Sequence, residues 1–154
     1  MLEPVYFSLG IANSLALILV FWARKDHLPA LRRYGWLYLL LAIPAIFAII
    51  LALTENKPVQ YPIFLAIFLA FLVLELIFDF ILKVDFRFDW KRNWKYLVPY
   101  LALYWAMNYG FVVMGLKNSL PGGLVLLGLF IVQILANIVT HPKEKDRSGR
   151  INNG

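Results

Sequence analysis

Five apolar runs, each about twenty residues long, alternate with polar connectors along the chain. They cover residues 5–23, 34–53, 61–83, 96–116 and 120–140. An α-helix rises about 1.5 Å per residue, so roughly 20 apolar residues carry it across the ~30 Å hydrocarbon core of a bilayer. The pattern predicts an all-α fold, a polytopic integral membrane protein built as a bundle of five transmembrane helices. One domain covers residues 1–142, and a polar tail follows over 143–154.

The third run, YPIFLAIFLAFLVLELIFDFILK, differs from the others in holding two carboxylates, Glu75 and Asp79. With Lys83 they are spaced i, i+4, i+8, which is one face of a regular α-helix. The second run contains Pro44, which withholds the N–H that would bond the Leu40 carbonyl and is expected to bend the helix. The connector RKDHLPALRR reads as a loop. From Val84 to Trp90 apolar and polar residues alternate with a period of two, which predicts an extended interfacial segment anchored by Trp90 and Trp94. Gly123 and Gly128 are five apart and miss the small-xxx-small spacing of close helix pairs.

Composition sharpens this picture. The chain is 62% hydrophobic, above the ~45–50% of soluble domains. It has no cysteine, which excludes disulfides, thiolate catalysis and Cys-ligated metal. Its two histidines, His27 and His141, lie near span ends, so no histidine metal cluster is expected. There is no glycine-rich phosphate loop, His-Glu-x-x-His signature or serine nucleophile elbow, and no cofactor is implied. A net charge of +6 would suggest nucleic acid in a soluble protein. Here the basic residues sit in connectors, so the expected partner is the lipid bilayer and not nucleic acid. Residues 24–33, 83–95 and 143–150 hold thirteen of the fifteen Lys and Arg, leaving Lys57 and Lys117 for the other side. The positive-inside rule then gives an outside N-terminus and a cytoplasmic C-terminus, in what reads as a prokaryotic cytoplasmic membrane. The opening MLEPVYF lacks the basic n-region of a signal peptide.

Orientation converts sequence position into depth. Counting from the cytoplasmic end of each span, Asn13 and Asn108 lie about 17 Å in, near the midplane. Glu75, Tyr104 and Gln133 lie roughly 10–12 Å in, and Asp79 and Asn137 about 5–6 Å in. Three helices thus carry i, i+4 polar pairs at matching depth: Glu75/Asp79, Tyr104/Asn108 and Gln133/Asn137, with Tyr100 extending the fourth helix's face by a turn. The expected assembly is a polar core open towards the cytoplasm, in which Glu75 accepts hydrogen bonds from Tyr104 and Gln133 while Asp79 pairs with Lys83. No basic residue lies on any span at the depth of Glu75, so its carboxyl is protonated by desolvation or faces a cation or water.

Three functions fit these residues. The first is binding or transport of a small amphipathic or cationic molecule in an acidic, aromatic cavity lined by Glu75, Asp79, Tyr100, Tyr104 and Asn108, with Asn13, Gln133 and Asn137 near it. The second is a membrane-embedded enzyme acting on a lipid or isoprenoid, with Glu75 as acid and Asp79 as base. The third is an accessory or assembly subunit of a larger membrane complex, in which the polar residues only join helices. Alternating access with five spans calls for a homo-oligomer, and the third function calls for a partner membrane subunit.

Overall fold

The computed structural model describes residues 1–82 and 90–140. All elements among them are helical: α1 (Leu2–Asp26), α2 (Leu28–Tyr34), a 3₁₀ segment (Gly35–Leu41), α3 (Ala42–Thr54), α4 (Gln60–Glu75), a π segment (Leu76–Ile81), α5 (Trp90–Asn118) and α6 (Leu120–Thr140). Five helical stretches are long and apolar enough to cross a membrane: Leu2–Ala23, Gly35–Thr54, Gln60–Ile81, Asn93–Asn118 and Leu120–Thr140.

Each long helix packs on its neighbour in sequence, and α6 returns to α1, so the five stretches close into a ring. The inward stripe of α1 is Leu2, Tyr6, Leu9, Asn13, Leu17 and Phe21, the i, i+3/i+4 recurrence of one helix face. On α3 the inward positions are Ala45, Ala48 and Ala52, whose small side chains let backbones approach. Aromatic rings fill the space this leaves. Tyr6 meets Tyr61 edge-on at 5.1 Å, and Phe68 meets Phe111 at 5.5 Å. Ile43, Ile46, Ile50 and Leu53 of α3 and Ile131, Leu135 and Ile138 of α6 face outwards and are exposed.

At one end of the ring the α3–α4 turn is tied to the start of α1. Asn56 takes a left-handed φ of 48°, which Asn tolerates, and the Lys57 N–H returns to the Ala52 carbonyl at 2.9 Å. Lys57 Nζ bonds Glu3 at 2.5 Å, and the Met1 ammonium lies 3.1 Å from Glu55. The ammonium donates to Glu55 and holds its carboxyl below the ordinary 4.5, while the bond to Glu3 raises the Lys57 ammonium. The α5–α6 corner is built by Ser119, whose Oγ accepts the Gly122 N–H at 3.1 Å as an N-cap. Just beyond it, Gly123 faces Gly115 so closely that a Cβ on Gly115 would lie 3.2 Å from the Gly123 Cα.

Four sequence expectations change. Residues 28–34 of the first connector form a short helix, with Pro29 in its first turn, where proline is tolerated. The second stretch is not one kinked α-helix: it runs as 3₁₀ over Gly35–Leu41 and becomes α at Ala42, so Pro44 falls in a first turn that needs no N–H. The third stretch leaves α geometry after Glu75, and Leu82 N–H bonds the Ile77 carbonyl, an i→i−5 closure, at 2.8 Å. Helix α5 already begins at Trp90, with non-helical angles at Asn93, so residues 90–94 are not extended. The rest of that segment, 84–89, together with Lys83 and the tail from 141, lies outside the described residues.

Candidate functional site

Buried polar side chains gather inside the ring from every wall. Asn13 and Ser14 come from α1, Glu75 from the end of α4, Asn108 from α5, and Gln133 and Thr140 from α6. Tyr38 of the 3₁₀ segment and Tyr100 and Tyr104 of α5 are buried beside them. These residues divide into two groups with different chemistry.

The first group is a closed circuit between α5 and α6. The Tyr104 hydroxyl donates to Gln133 Oε1 at 3.1 Å, Gln133 Nε2 donates to Asn108 Oδ1 at 3.3 Å, and Asn108 Nδ2 donates to the Tyr104 carbonyl at 2.8 Å. Tyr104 and Asn108 are one turn apart, so one face of α5 presents both to Gln133. The Tyr104 hydroxyl therefore goes to Gln133 and not to Glu75, and the amide interaction of Gln133 that is seen goes to Asn108. Asn137 stays outside this circuit: it is half-buried and takes part through its carbonyl, which accepts from Thr140 Oγ1 at 3.5 Å.

The second group surrounds Glu75, whose side chain is buried to 5% exposure. Phe71 and Glu75 are one turn apart on α4, and Tyr100 and Tyr104 are one turn apart on α5. The two faces meet: the Phe71 ring lies 5.4 Å from Tyr100 and 6.2 Å from Tyr104, while the two tyrosine rings stack at 6.5 Å with 9° between planes. The second stretch contributes the buried hydroxyl of Tyr38. That hydroxyl donates to Asn13 Oδ1 at 2.7 Å. The other atom of this amide, Asn13 Nδ2, is buried and, among the described residues, has no hydrogen-bond partner.

Asp79 lies beyond the junction, in the π segment, and is half-buried, while Phe78 beside it is buried. The spacing that put Glu75, Asp79 and Lys83 on one face holds for a regular α-helix, and the i→i+5 turn breaks it. Lys83, the expected partner of Asp79, lies outside the described residues. Among the described residues no group of His, Asp and Glu side chains has the arrangement of a metal site.

Sequence reasoning missed Tyr38. It sits near one end of its span, where a tyrosine reads as an interface anchor. The signal available was its demand for a hydroxyl partner once buried, and Asn13 meets that demand.

In comparisons with known proteins, the chain matches no family model, no curated protein and no solved structure.

Proposed function

We propose that this chain is a multi-pass integral membrane protein whose helix ring binds a small amphipathic organic cation at Glu75, as a binder or transporter. The N-terminus is outside, and the site is reached from the cytoplasmic end of α4, past Asp79. The observation that carries the reading is a buried carboxyl, Glu75, one helical turn from Phe71, whose ring lies against those of Tyr100 and Tyr104. A carboxylate within a span costs roughly 2.5–3.5 kcal/mol on insertion scales, so a cation that neutralises it recovers part of that cost. Aromatic faces add about 0.5–2 kcal/mol for an alkylated ammonium. The ion's alkyl groups suit the apolar walls, and its charge suits Glu75. The wide turn that begins directly after Glu75 supports the same reading, since π segments recur at functional sites.

The test is thermal unfolding of the protein in lipid nanodiscs with trimethylalkylammonium ions from propyl to octyl. Saturable stabilisation of the wild type, lost in Glu75→Gln, is the expected result. A folded wild type that no member of the series stabilises would refute the reading. Glu75→Gln folding normally in that case would favour the accessory-subunit function.

A further inference from the structure

We infer that two outward-facing positions on the ring, Tyr109 of α5 and Gly128 of α6, join copies of this chain head to tail, the Tyr109 side chain of one copy seating in a notch at Gly128 of the next. This rests on the reading of the chain as a multi-pass membrane protein and not on the cation site.

The starting point is a hydroxyl at an unusual depth. Tyrosines of membrane helices gather at the two interfaces, where the ring is in apolar surroundings and the hydroxyl is wet. Tyr109 lies inside the Asn93–Asn118 stretch, ten residues before Ser119. At 1.5 Å per residue that is about 15 Å from the α5–α6 corner, near the middle of a ~30 Å hydrocarbon core. The residue is 60% exposed. Its ring rests edge-on against Phe64 at 6.1 Å, and among the described residues its hydroxyl has no hydrogen-bond partner. Side chains lean towards the N-terminus of their helix, and the N-terminus of α5 is the end far from this corner. The hydroxyl is therefore aimed deeper into the apolar layer and not back to the nearer surface. A polar group there is costly until a neighbour pairs with it.

The adjoining helix offers what this hydroxyl lacks. Gly128 comes nine residues after Ser119, so it stands level with Tyr109. A Cβ on Gly128 would meet nothing within 4 Å, so Tyr109 of the same copy does not cover it. Its neighbours one turn away on the helix surface, Leu124, Val125, Ile131 and Val132, are all exposed. They form the rim of a notch floored by bare backbone, where a helix carbonyl keeps a lone pair for a second hydrogen bond. Lipid chains carry no acceptor at this depth. Copies of one chain inserted in the same direction share depth, so Tyr109 of one stands level with Gly128 of the next. The partition of Lys and Arg, thirteen against two, argues for a single direction of insertion. Because knob and notch are different surfaces, the contact is heterologous and repeats from copy to copy instead of ending at a mutual pair.

The test replaces Tyr109 by p-benzoylphenylalanine, a photoreactive residue that keeps the shape of the knob. Membranes are washed with alkaline carbonate and irradiated, and the cross-linked peptides are identified by mass spectrometry. The expected product is a covalent dimer joined to residues 124–132 of a second copy. As a second measurement, energy transfer between labelled wild-type copies is titrated in vesicles. Tyr109→Phe is expected to weaken self-association roughly 3- to 10-fold, the range of one neutral hydrogen bond. Gly128→Phe, which fills the notch from the outside and leaves the packing within one copy intact, is expected to abolish it. Cross-links confined to lipid, or to the Tyr109 face of a second copy, overturn the inference, as does equal self-association of the wild type and Gly128→Phe. A chain missing from the washed membranes refutes the membrane reading itself.

Discussion

A hydroxyl and an amide, Tyr38 and Asn13, join α1 to the 3₁₀ segment by one buried bond. Removing the hydroxyl alone should hurt, because Tyr38→Phe leaves both polar ends of the Asn13 amide without partners. Interhelical bonds between membrane helices average about 0.6 kcal/mol and reach about 1.7, and the lost pair belongs at the upper end of that range. In an Asn13→Leu background the same Tyr38→Phe change should cost far less, since removing both partners leaves no orphan. Reversible unfolding in mixed micelles, run as a double-mutant cycle, measures the coupling; strictly additive losses would mean the bond contributes nothing. The ion cluster at the end of the ring predicts a pH effect. The folded Glu55 carboxyl titrates below its unfolded value of 4.5, so its contribution is complete above that value and is lost as pH falls through the folded one. Lys57 is raised, so its contribution is complete below 10.5 and is lost only above it. Melting temperature measured against pH should therefore drop below about pH 4.5 in the wild type, and Glu55→Gln should lack the Glu55 part of that drop.

At the scale of elements, two glycines of α6 make opposite predictions. A Cβ on Gly123 would lie 2.5 Å from the Leu116 backbone nitrogen, an atom that can give way only if α5 and α6 separate. Gly123→Ala should destabilise by about 1–3 kcal/mol, the usual range for overpacking. A Cβ on Gly128 would meet nothing within 4 Å, so Gly128→Ala should be neutral or, through helix propensity, stabilising by up to about 1 kcal/mol. Unfolding free energies of the two variants decide the matter, and equal effects would contradict the packing at this corner. The spacing of the two glycines carried none of this, because the partner of Gly123 is Gly115 on the preceding helix. The same limit applied at Glu75 and at Pro44. Hydrophobic runs mark where a helix lies but not its internal geometry, so the 3₁₀ start of the second stretch and the π end of the third were invisible in them. The shorter rise of a π turn and the longer rise of a 3₁₀ turn move side chains off the positions that 1.5 Å per residue assigns.

For the whole molecule, the five stretches were legible because apolar length is a one-dimensional property. Depth put Tyr104 and Gln133 at one level, but both were expected to bond Glu75, and their bond to each other was not legible. Nor was the role of Asn13, because which wall it faces depends on ring closure by α6 against α1, and no local pattern encodes that closure. Orientation rests on charge. Thirteen of fifteen basic residues fall in the sequence segments 24–33, 83–95 and 143–150, on which the proposed orientation rests, and the α3–α4 turn lies at the other end of the second stretch from α2. The chain has no cysteine, so single thiols can report each end against no background. Val59 in the α3–α4 turn and Ala30 in α2 are both exposed, and neither makes a side-chain hydrogen bond. In intact cells a membrane-impermeant maleimide should label Val59→Cys at once and Ala30→Cys only after permeabilisation. The inverse pattern would reverse the orientation and turn the Glu75 end of the ring to the outside. The cation site would then be reached from the external medium. Labelling of both thiols in intact cells would mean a mixed topology, which a thirteen-to-two distribution of basic residues should not allow.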